Sequence, residues 1–272
     1  MHNMKLSFNT WAYGSNPSWL PAYPLDETIK RLAHIGYDGI EIAAWSPHAY
    51  PETTTPERRK EIRKVLEGEG IALSSMLPNP PNVSSPIPEE RRWAIEQYKQ
   101  TADLCADWGG PTLLYVPGWI VFGTTRREAW QWSCDAVHEI GEHCAQYNIT
   151  VVIEPTSEVS NLVDTADHAV EMMEEVGLEN VKVMFDTIHV LYRQEVMTDY
   201  AYRMGKNLKH IHISELRRMP PGQGHGDFPS LMQVLKESGY PGYVTMEIGL
   251  VGRDVQPDLF ARQAYEYLKP MM

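Results

Sequence analysis

Eight short apolar segments recur along the chain and alternate with longer, charge-rich stretches, and this alternation limits the folds open to the sequence. Short apolar runs bounded by turn residues are typical of buried strands, and the stretches between them have the pattern of amphipathic helices. We predict that the strands begin at Leu6, Gly39, Ala72, Thr112, Thr150, Lys182, Leu208 and Tyr243. Their starts are separated by 26 residues (182 to 208) up to 40 residues (72 to 112), which accommodates one helix and two loops each time.

Eight such units predict a closed barrel rather than an open sheet. The chain has 272 residues, about the length at which a single-domain (β/α)8 TIM barrel of the α/β class closes. An open doubly wound sheet is expected to carry a GxGxxG turn after its first strand, and no such turn follows Leu6. No low-complexity linker divides the sequence, so we expect residues 1–272 to form one barrel domain.

The charge balance argues against nucleic acid or a membrane as the partner. The 36 acidic and 24 basic residues give a formal net charge of −12, which opposes attraction to phosphate backbones and anionic lipids. Three cysteines without a CxxC pair indicate neither a disulfide framework nor a thiolate zinc site. No apolar run is long enough to span a bilayer, and the first residues lack the features of a signal peptide. We therefore expect a soluble cytoplasmic protein that acts on a small molecule.

Four polar residues occupy equivalent positions on the last four predicted strands. Glu154 ends TVVIE, Asp186 ends KVMFD, His212 lies in LKHIHIS and Glu247 lies in YVTMEI. The carboxyl ends of barrel strands converge on one mouth, and a charged group among apolar residues is costly to bury without a partner or a metal. A single glutamate at a strand end is also typical of a loop anchor. The four together predict a divalent-cation site, and their donors suit Mn²⁺, Mg²⁺ or Co²⁺.

Other polar and aromatic residues lie near this predicted mouth. His210 and His212 are two residues apart on one strand and therefore share a face, so we expect one of them to be a packed, hydrogen-bonded histidine. Trp119 falls in a predicted loop, where its ring could stack on a sugar or an aglycone, or pack beneath the loop. Arg217 and Arg218 could suggest a phosphate group, but the negative charge and the lack of a P-loop favour an uncharged polyol.

Five segments of the sequence resemble the xylose isomerase-like barrel superfamily, and the resemblance covers essentially the whole chain. They are YDGIEIAAWSPHAYP, VVIEPTSEVSN, MFDTIHV, HIHISELRRMPPGQGHGDF and GYVTMEIGLVGRDVQPDLFARQAYEYL. The most specific features are the spacings D-T-x-H and H-x-x-E-x-x-R. Within the superfamily, the chain is most similar to the ketose 3-epimerases of the tagatose/psicose type and the related fructoselysine 3-epimerase. The resemblance implies a (β/α)8 barrel and a metal-dependent sugar epimerase or isomerase, with Mn²⁺ as the expected ion.

The resemblance also implies roles for the four strand-end residues. Glu154, Asp186, His212 and Glu247 match the family's metal ligands. Glu154 and Glu247 match its acid/base pair as well.

For the substrate, the resemblance implies a second group of residues. His189 and Arg218 match residues that hold the carbonyl end and hydroxyls of the sugar, and His48 matches a histidine at the rim of the pocket. The family usually has a second glutamate about six residues after the first, where this chain has Ser160. Glu158 is the candidate replacement for that contact.

Such a site supports more than one reaction. A cation that chelates a carbonyl oxygen stabilises the enolate formed when the neighbouring carbon loses its proton. Two carboxylates on opposite faces of that carbon can then invert it, whereas proton return to the adjacent carbon gives aldose–ketose isomerisation. Elimination from a 3-keto glycoside, as in C-glycoside deglycosidases that work with a small partner subunit, uses the same first step.

Further alternatives stay open at this point. Hydroxypyruvate isomerase and inosose dehydratase are relatives by fold with other substrates. A sugar-binding sensor barrel without turnover is the non-enzymatic alternative, although binding alone does not require two acid/base carboxylates. The resemblance also leads us to expect a homo-oligomer, either a dimer or a tetramer.

Overall fold

Eight parallel strands form a closed barrel in which each strand pairs with its sequence neighbours and the last pairs with the first. The computed structural model describes residues 4–14, 22–79, 82–249 and 257–272. The strands are β1 (Lys5–Asn9), β2 (Gly39–Ala44), β3 (Ala72–Pro78), β4 (Thr112–Tyr115), β5 (Thr150–Ile153), β6 (Val181–Asp186), β7 (Leu208–Ile213) and β8 (Tyr243–Met246). All eight begin within one residue of the predicted positions. The predicted (β/α)8 TIM barrel is therefore confirmed.

Helices surround the barrel and connect its strands. They are α1 (Leu25–Ile35), α2 (Pro56–Glu69), α3 (Pro88–Asp107), α4 (Arg126–Ala145), α5 (Ala166–Val176), α6 (Thr187–Tyr192), α7 (Met197–Met204), α8 (Phe228–Glu237) and α9 (Pro257–Leu268). A 3-10 turn spans Leu216–Arg218 in the loop after β7. Within the described part of the chain, no helix has the length and hydropathy needed to span a bilayer.

The start of α1 differs in detail from a simple reading of its sequence. Asp26 has the residue type of an N-cap, but the cap position is held by Pro24, which has an extended backbone and makes no side-chain cap hydrogen bond. Asp26 lies inside the first turn, where its carboxylate pairs with Arg58 at 3.0 Å. A negative charge in the first turn still favours the helix because it faces the positive end of the helix dipole. The helix ends at Gly36, which caps it with φ of 113°.

The strand side chains divide between two buried regions. Alternate residues point outward and pack against the helices, as Leu6, Phe8, Ile211 and Ile213 do. The inward-facing apolar residues form a small separate core of Leu77, Leu114, Val152 and Met184, contributed by β3 to β6. On the other side of the interior, the inward positions of β1, β2, β7 and β8 are polar: Ser7, Asn9, Glu41, His210 and Thr245 are all fully buried. The barrel interior is therefore half apolar and half polar.

The C-cap of α1 provides a test of the packing between α1 and α9. Gly36 has positive φ, and a Cβ at this position would lie 2.7 Å from the Tyr265 hydroxyl oxygen. We expect Gly36→Ala to lower the free energy of unfolding by about 1 to 2 kcal/mol, because an L side chain is strained in the left-handed region. Urea denaturation measures the change.

Gly68, within α2, is the matched control. A Cβ at this position meets no atom within 4 Å, so Gly68→Ala is expected to raise the free energy of unfolding by up to about 1 kcal/mol through helix propensity. Equal stability of Gly36→Ala and the wild type would contradict the packing described for the α1 cap.

Candidate active site

The four polar strand-end residues come together at the carboxyl end of the barrel. Glu154 follows β5, Asp186 ends β6, His212 lies on β7 and Glu247 follows β8. One potential ligand atom from each lies within 4.8 Å of all the others. The strand register explains the proximity, because Asp186 is aligned with His212 and the backbone N–H of Glu247 donates to the Ile213 carbonyl at 3.1 Å. The four side chains therefore stand at one level of the barrel.

This cluster concentrates negative charge in a buried place. Asp186 and His212 are fully buried, and the two glutamates are each only 4% exposed. The guanidinium of Arg218 provides a positive charge: its Nη1 lies 2.6 Å from Glu247 Oε2 and also pairs with Asp186. Buried carboxylates need such partners because the charged form is strongly disfavoured away from water.

The pKa values show that these partners only partly compensate the buried charge. Burial, together with the carboxylates of Glu247 and Asp186, raises the pKa of Glu154 to about 8, against the opposing effect of His212. Burial also raises the pKa of Glu247, although Arg218 and His212 oppose the shift. For Asp186, burial alone would raise the pKa, but Arg218 and the two nearby histidines hold it below its usual range. An additional positive charge among these carboxylates would therefore be electrostatically favourable.

The donor set fits a divalent cation. Nδ1 of His212 lies 3.1 Å from Glu247 Oε2 and 4.0 Å from both Glu154 Oε1 and Asp186 Oδ2. Ligand atoms about 2.1 Å from one small cation in octahedral geometry are separated from one another by about 3 to 4 Å. Carboxylate oxygens with one imidazole are suited to Mn²⁺, Mg²⁺ or Co²⁺. Glu154, Asp186, His212 and Glu247 are therefore the residues that could hold such an ion.

His189 lies beside the cluster on the short helix α6. It is 4% exposed, and its Nε2 lies 4.0 Å from Glu154 Oε1. The backbone N–H of Glu158 donates to its Nδ1 at 3.2 Å, so the neutral ring carries its proton on Nε2, the nitrogen that faces the site. Burial, helped by Arg218 and His212, lowers the pKa of His189 to about 4 although Asp186 opposes the shift. The side chain is therefore a neutral donor at physiological pH.

The loop after β5 carries the two residues considered for the missing family glutamate. Glu158 has an exposed side chain and contributes its backbone N–H to His189. Ser160 donates its hydroxyl to the Gly118 carbonyl at 2.6 Å and accepts the N–H of Leu162. In this arrangement Ser160 connects two loops, and Glu158 orients His189.

Arg218 reaches the cluster from an unusual backbone conformation. Arg217 and Arg218 have φ of 63° and 57°, in the left-handed region that residues other than glycine rarely adopt. Such strain is found mostly at functional sites, where the surrounding structure maintains it. Here the guanidinium lies over the Trp11 ring, 5.4 Å from its centroid, and the Arg218 carbonyl accepts the N–H of Gly249.

His48 lies in the loop after β2. It is 7% exposed and its Nε2–H donates to the Tyr23 carbonyl at 2.9 Å, which joins the loop after β2 to the segment before α1. Burial lowers the pKa of His48. His48 thus connects two loops at the barrel mouth.

Trp119 borders an apolar cleft at the same end of the barrel. The cleft has a volume of about 290 Å³ and is lined by Trp119, Val116, Val159, Thr156 and Ser160. The Trp119 backbone is fixed on one side, where its N–H and carbonyl both bond to the Asn82 amide at 3.1 Å. Thr156 Oγ1 is buried and has no hydrogen-bond partner among the described residues.

Glu41 is a further buried carboxylate next to the cluster, and it is not among the predicted site residues. It lies on β2, fully buried, with His210 and His212 close to its oxygens. The signal was present, because Glu41 interrupts the apolar strand GIEIA in the same way that Asp186 ends KVMFD. The expectation of one packed histidine agrees with this arrangement, since His210 Nε2 lies 3.0 Å from Glu41.

The sequence matches the model of a known family and is similar to proteins named as epimerases. The model of the family described as xylose isomerase-like TIM barrel matches residues 29–271. D-Psicose 3-epimerase of Ruminiclostridium cellulolyticum is 28% identical over 232 residues, 80% of this chain and 76% of that protein. Fructoselysine 3-epimerase of Escherichia coli O157:H7 is 23% identical over 259 residues, 92% of this chain and 94% of that protein.

Solved structures share the fold over nearly the whole length. The structure of D-psicose 3-epimerase with D-tagatose from Clostridium cellulolyticum H10 has a TM-score of 0.82 at 23% identity, covering 98% of this chain and 99% of that one. The apo form of 3-keto-D-glucoside 4-epimerase from Escherichia coli has a TM-score of 0.85 at 19% identity, with coverage of 98% and 100%. These similarities show that the barrel is shared from end to end.

If the cluster binds a divalent cation, the binding should stabilise the folded protein measurably. A ligand that binds only the folded state at 100 times its Kd adds about 2.7 kcal/mol to the free energy of unfolding, which is about 5 °C in Tm for a domain of this size. We expect Mn²⁺ to raise the Tm of the wild type accordingly and to leave that of Asp186→Asn unchanged. Differential scanning fluorimetry with and without EDTA measures both shifts.

Asp103→Asn is the control for this experiment. Asp103 also pairs with a histidine, His143 Nε2 at 2.8 Å, but between the outer helices α3 and α4. This variant should keep the full Mn²⁺ shift. A shift that persists in Asp186→Asn would place the cation elsewhere.

Proposed function

The chain belongs to the xylose isomerase-like TIM barrel family, and on that premise we propose that it is a divalent-metal-dependent sugar epimerase. The enzyme inverts a ketose, or a ketosugar derivative, at the carbon next to its carbonyl. The observation that carries the proposal is the placement of Glu154 and Glu247 at the two ends of an arc formed by β5 to β8, with Asp186 and His212 between them. Named relatives that epimerise sugars support the reaction class.

The two glutamates perform the proton transfers in this proposal. One carboxylate removes the proton from the carbon beside the carbonyl, and the other gives a proton to the opposite face of the same carbon. Because β6 and β7 separate the strands that carry Glu154 and Glu247, a sugar between them presents one face to each. Their roles exchange when the reaction runs in reverse.

The other residues of the site bind and orient the sugar. Glu154, Asp186, His212 and Glu247 are the proposed metal ligands, and Mn²⁺ is the proposed ion. When bound, the cation supplies Lewis-acid stabilisation of the negative charge that develops on the carbonyl oxygen. His189 donates its Nε2–H to an oxygen of the sugar near Glu154.

Further contacts of the proposed sugar site come from the loops. Arg218 offers its remaining N–H groups to the sugar hydroxyls, and Trp119 provides a stacking surface. Glu158 and His48 complete the rim of the pocket. The domain comprises residues 1–272, and a homo-oligomer remains the expected assembly.

Exchange with solvent tests the enolate step. We expect turnover of D-psicose or another ketose in D₂O with Mn²⁺ to place deuterium at the inverted carbon, because the carboxyl group that gives its proton to the opposite face exchanges that proton with solvent. Mass spectrometry and NMR of the product measure the label at that carbon. Inversion without any label, also at long incubation times that allow many turnovers, would contradict the mechanism.

Glu247 is the most direct residue to change. Glu247→Gln keeps the size of the side chain but removes the acid/base group, so we expect kcat to fall by about 10²- to 10⁴-fold. Circular dichroism should show an intact fold. Glu142→Gln, on the exposed face of α4, is the control and should keep wild-type kcat. Full activity of Glu247→Gln would refute its assigned role.

The apolar cleft beside Trp119 favours a second candidate function, elimination of an aglycone from a 3-keto C-glycoside. In this reaction one glutamate removes the proton beside the 3-keto group, and the enolate expels the aglycone carbon, which takes a proton from the other glutamate. The sugar product is a 1,2-unsaturated 3-keto compound. A flat aglycone would stack on Trp119 and contact Val116 and Val159. In this function a small partner subunit would work together with the chain.

Trp119→Ala separates the two candidate functions. If the cleft binds an aglycone, the variant should raise KM for a 3-keto C-aryl glycoside by about tenfold, equivalent to about 1.4 kcal/mol. It should raise KM for a free ketose less, because a free ketose has no flat aglycone to stack on Trp119. Chromatography measures the released aglycone, and a coupled assay measures the ketose. Absence of aglycone release by the wild type, with or without co-purified proteins, would leave epimerisation as the function of this site.

A further inference from the structure

A second polar cluster lies in the barrel interior next to the proposed metal ligands, centred on Glu41. This carboxylate is fully buried on β2. Its oxygens accept hydrogen bonds from Asn9 Nδ2 and Ser75 Oγ, each at 2.5 Å. They also lie 3.0 Å from His210 Nε2 and 2.9 Å from His212 Nε2. Four donors from β1, β3 and β7 therefore surround one carboxylate.

His212 lies between this cluster and the candidate metal site. Its Nδ1 faces the carboxylates of Glu247, Asp186 and Glu154, and its Nε2 faces Glu41. Both Glu41 oxygens already accept hydrogen bonds, from Asn9 and Ser75, so Glu41 acts as an acceptor here and the contact with His212 places the proton on Nε2. Nδ1 lies 3.1 Å from Glu247 Oε2, and a cation bound among the carboxylates on this side would take the place of a proton on Nδ1.

We propose that Glu41 is a positioning residue that fixes the tautomer and ring orientation of His212 for metal binding. The inference rests on the proposed function, because it assumes that His212 Nδ1 is a ligand. A carboxylate that accepts the second ring N–H of a metal-binding histidine makes the other ring nitrogen more basic and therefore a stronger metal ligand. Loss of such a partner typically weakens metal binding by about 10- to 100-fold. The full burial of Glu41 strengthens this effect, since water does not compete for its oxygens.

The residues around Glu41 hold the carboxylate in place. Asn9 uses its Nδ2 for Glu41 and its Oδ1 for the backbone N–H of Trp11 at 2.8 Å. The Trp11 ring in turn lies under the guanidinium of Arg218. The network thus connects β1 and β2 with the charged groups at the barrel mouth.

A second metal ion at Glu41, His210 and His212 is the competing interpretation, because their donor atoms lie within 4.8 Å of one another. The hydrogen bonds argue against it. Asn9 and Ser75 already donate to the Glu41 oxygens at short distance, and these N–H and O–H groups would point their protons at a cation. The arrangement fits a hydrogen-bonded anion.

The test compares the affinity for Mn²⁺ of four forms of the full chain. Isothermal titration calorimetry or EPR of free Mn²⁺ gives Kd and stoichiometry. We expect Glu41→Gln to raise Kd by about 10- to 100-fold, with one ion per chain in the wild type. Ser75→Ala and Ser7→Ala form a matched pair: both remove a buried hydroxyl from the barrel interior, but only Ser75 contacts Glu41, whereas Ser7 contacts Ser74 at 2.6 Å. We expect Kd to rise in Ser75→Ala and to stay at the wild-type value in Ser7→Ala.

A spectroscopic readout separates positioning from general destabilisation. Long-range ¹H–¹⁵N NMR of the Mg²⁺-loaded protein should show His212 protonated on Nε2 in the wild type and in Ser7→Ala. In Glu41→Gln that signal should shift or broaden, because the amide no longer specifies the tautomer. If Glu41→Gln does not fold, the comparison of the two serine variants decides the same question.

The outcomes are distinct. Wild-type Kd in Glu41→Gln or in Ser75→Ala would overturn the positioning role and leave the proposed function intact. Two ions in the wild type and one in Glu41→Gln would overturn it in favour of the second metal site. Absence of Mn²⁺ binding in the wild type would overturn the proposed function and this inference together.

Discussion

The burial of several carboxylates inside one barrel is the constraint on which the rest of this structure depends. Glu41, Glu154, Asp186 and Glu247 are withdrawn from water almost completely. Each would be strongly destabilising without compensation. The described residues supply this compensation through Arg218, through His212 and through neutral donors such as Asn9 and Ser75.

This requirement explains features of the surrounding loops that have no simple origin in local sequence preference. Arg217 and Arg218 adopt left-handed backbone angles, and in this conformation Arg218 forms ion pairs with two buried carboxylates. The polar half of the barrel interior also compensates the buried carboxylates, because it supplies hydrogen-bonding groups. Strands β1, β2 and β7 place hydrogen-bonding groups where β4 to β6 place Leu114, Val152 and Met184.

The local sequence pattern was sufficient to predict the positions of the strands, but not every structural detail around them. The eight strand positions could be predicted because buried parallel strands are short apolar runs and the helices between them have a different period. The cap of α1 could not, because Asp26 and Pro24 both lie near the start of the helix and only the backbone conformation shows which one precedes its first turn. The contacts of Glu41 with His210 and His212 could not be predicted either, because the two histidines are about 170 residues away in the chain.

The sequence by itself determined the barrel and the level of the barrel at which the charged residues lie. Alternation with a period of two places Glu154, Asp186, His212 and Glu247 on inward positions, and strand ends place them at the mouth. Only the tertiary structure decided how these groups are paired: that Arg218 reaches Asp186 and Glu247, that Glu158 turns its backbone rather than its carboxylate toward His189, and that His48 bonds to Tyr23. The physical reason is that electrostatic and hydrogen-bond energies depend on distances of a few ångströms between residues far apart in the chain, and spacing along the sequence does not contain those distances.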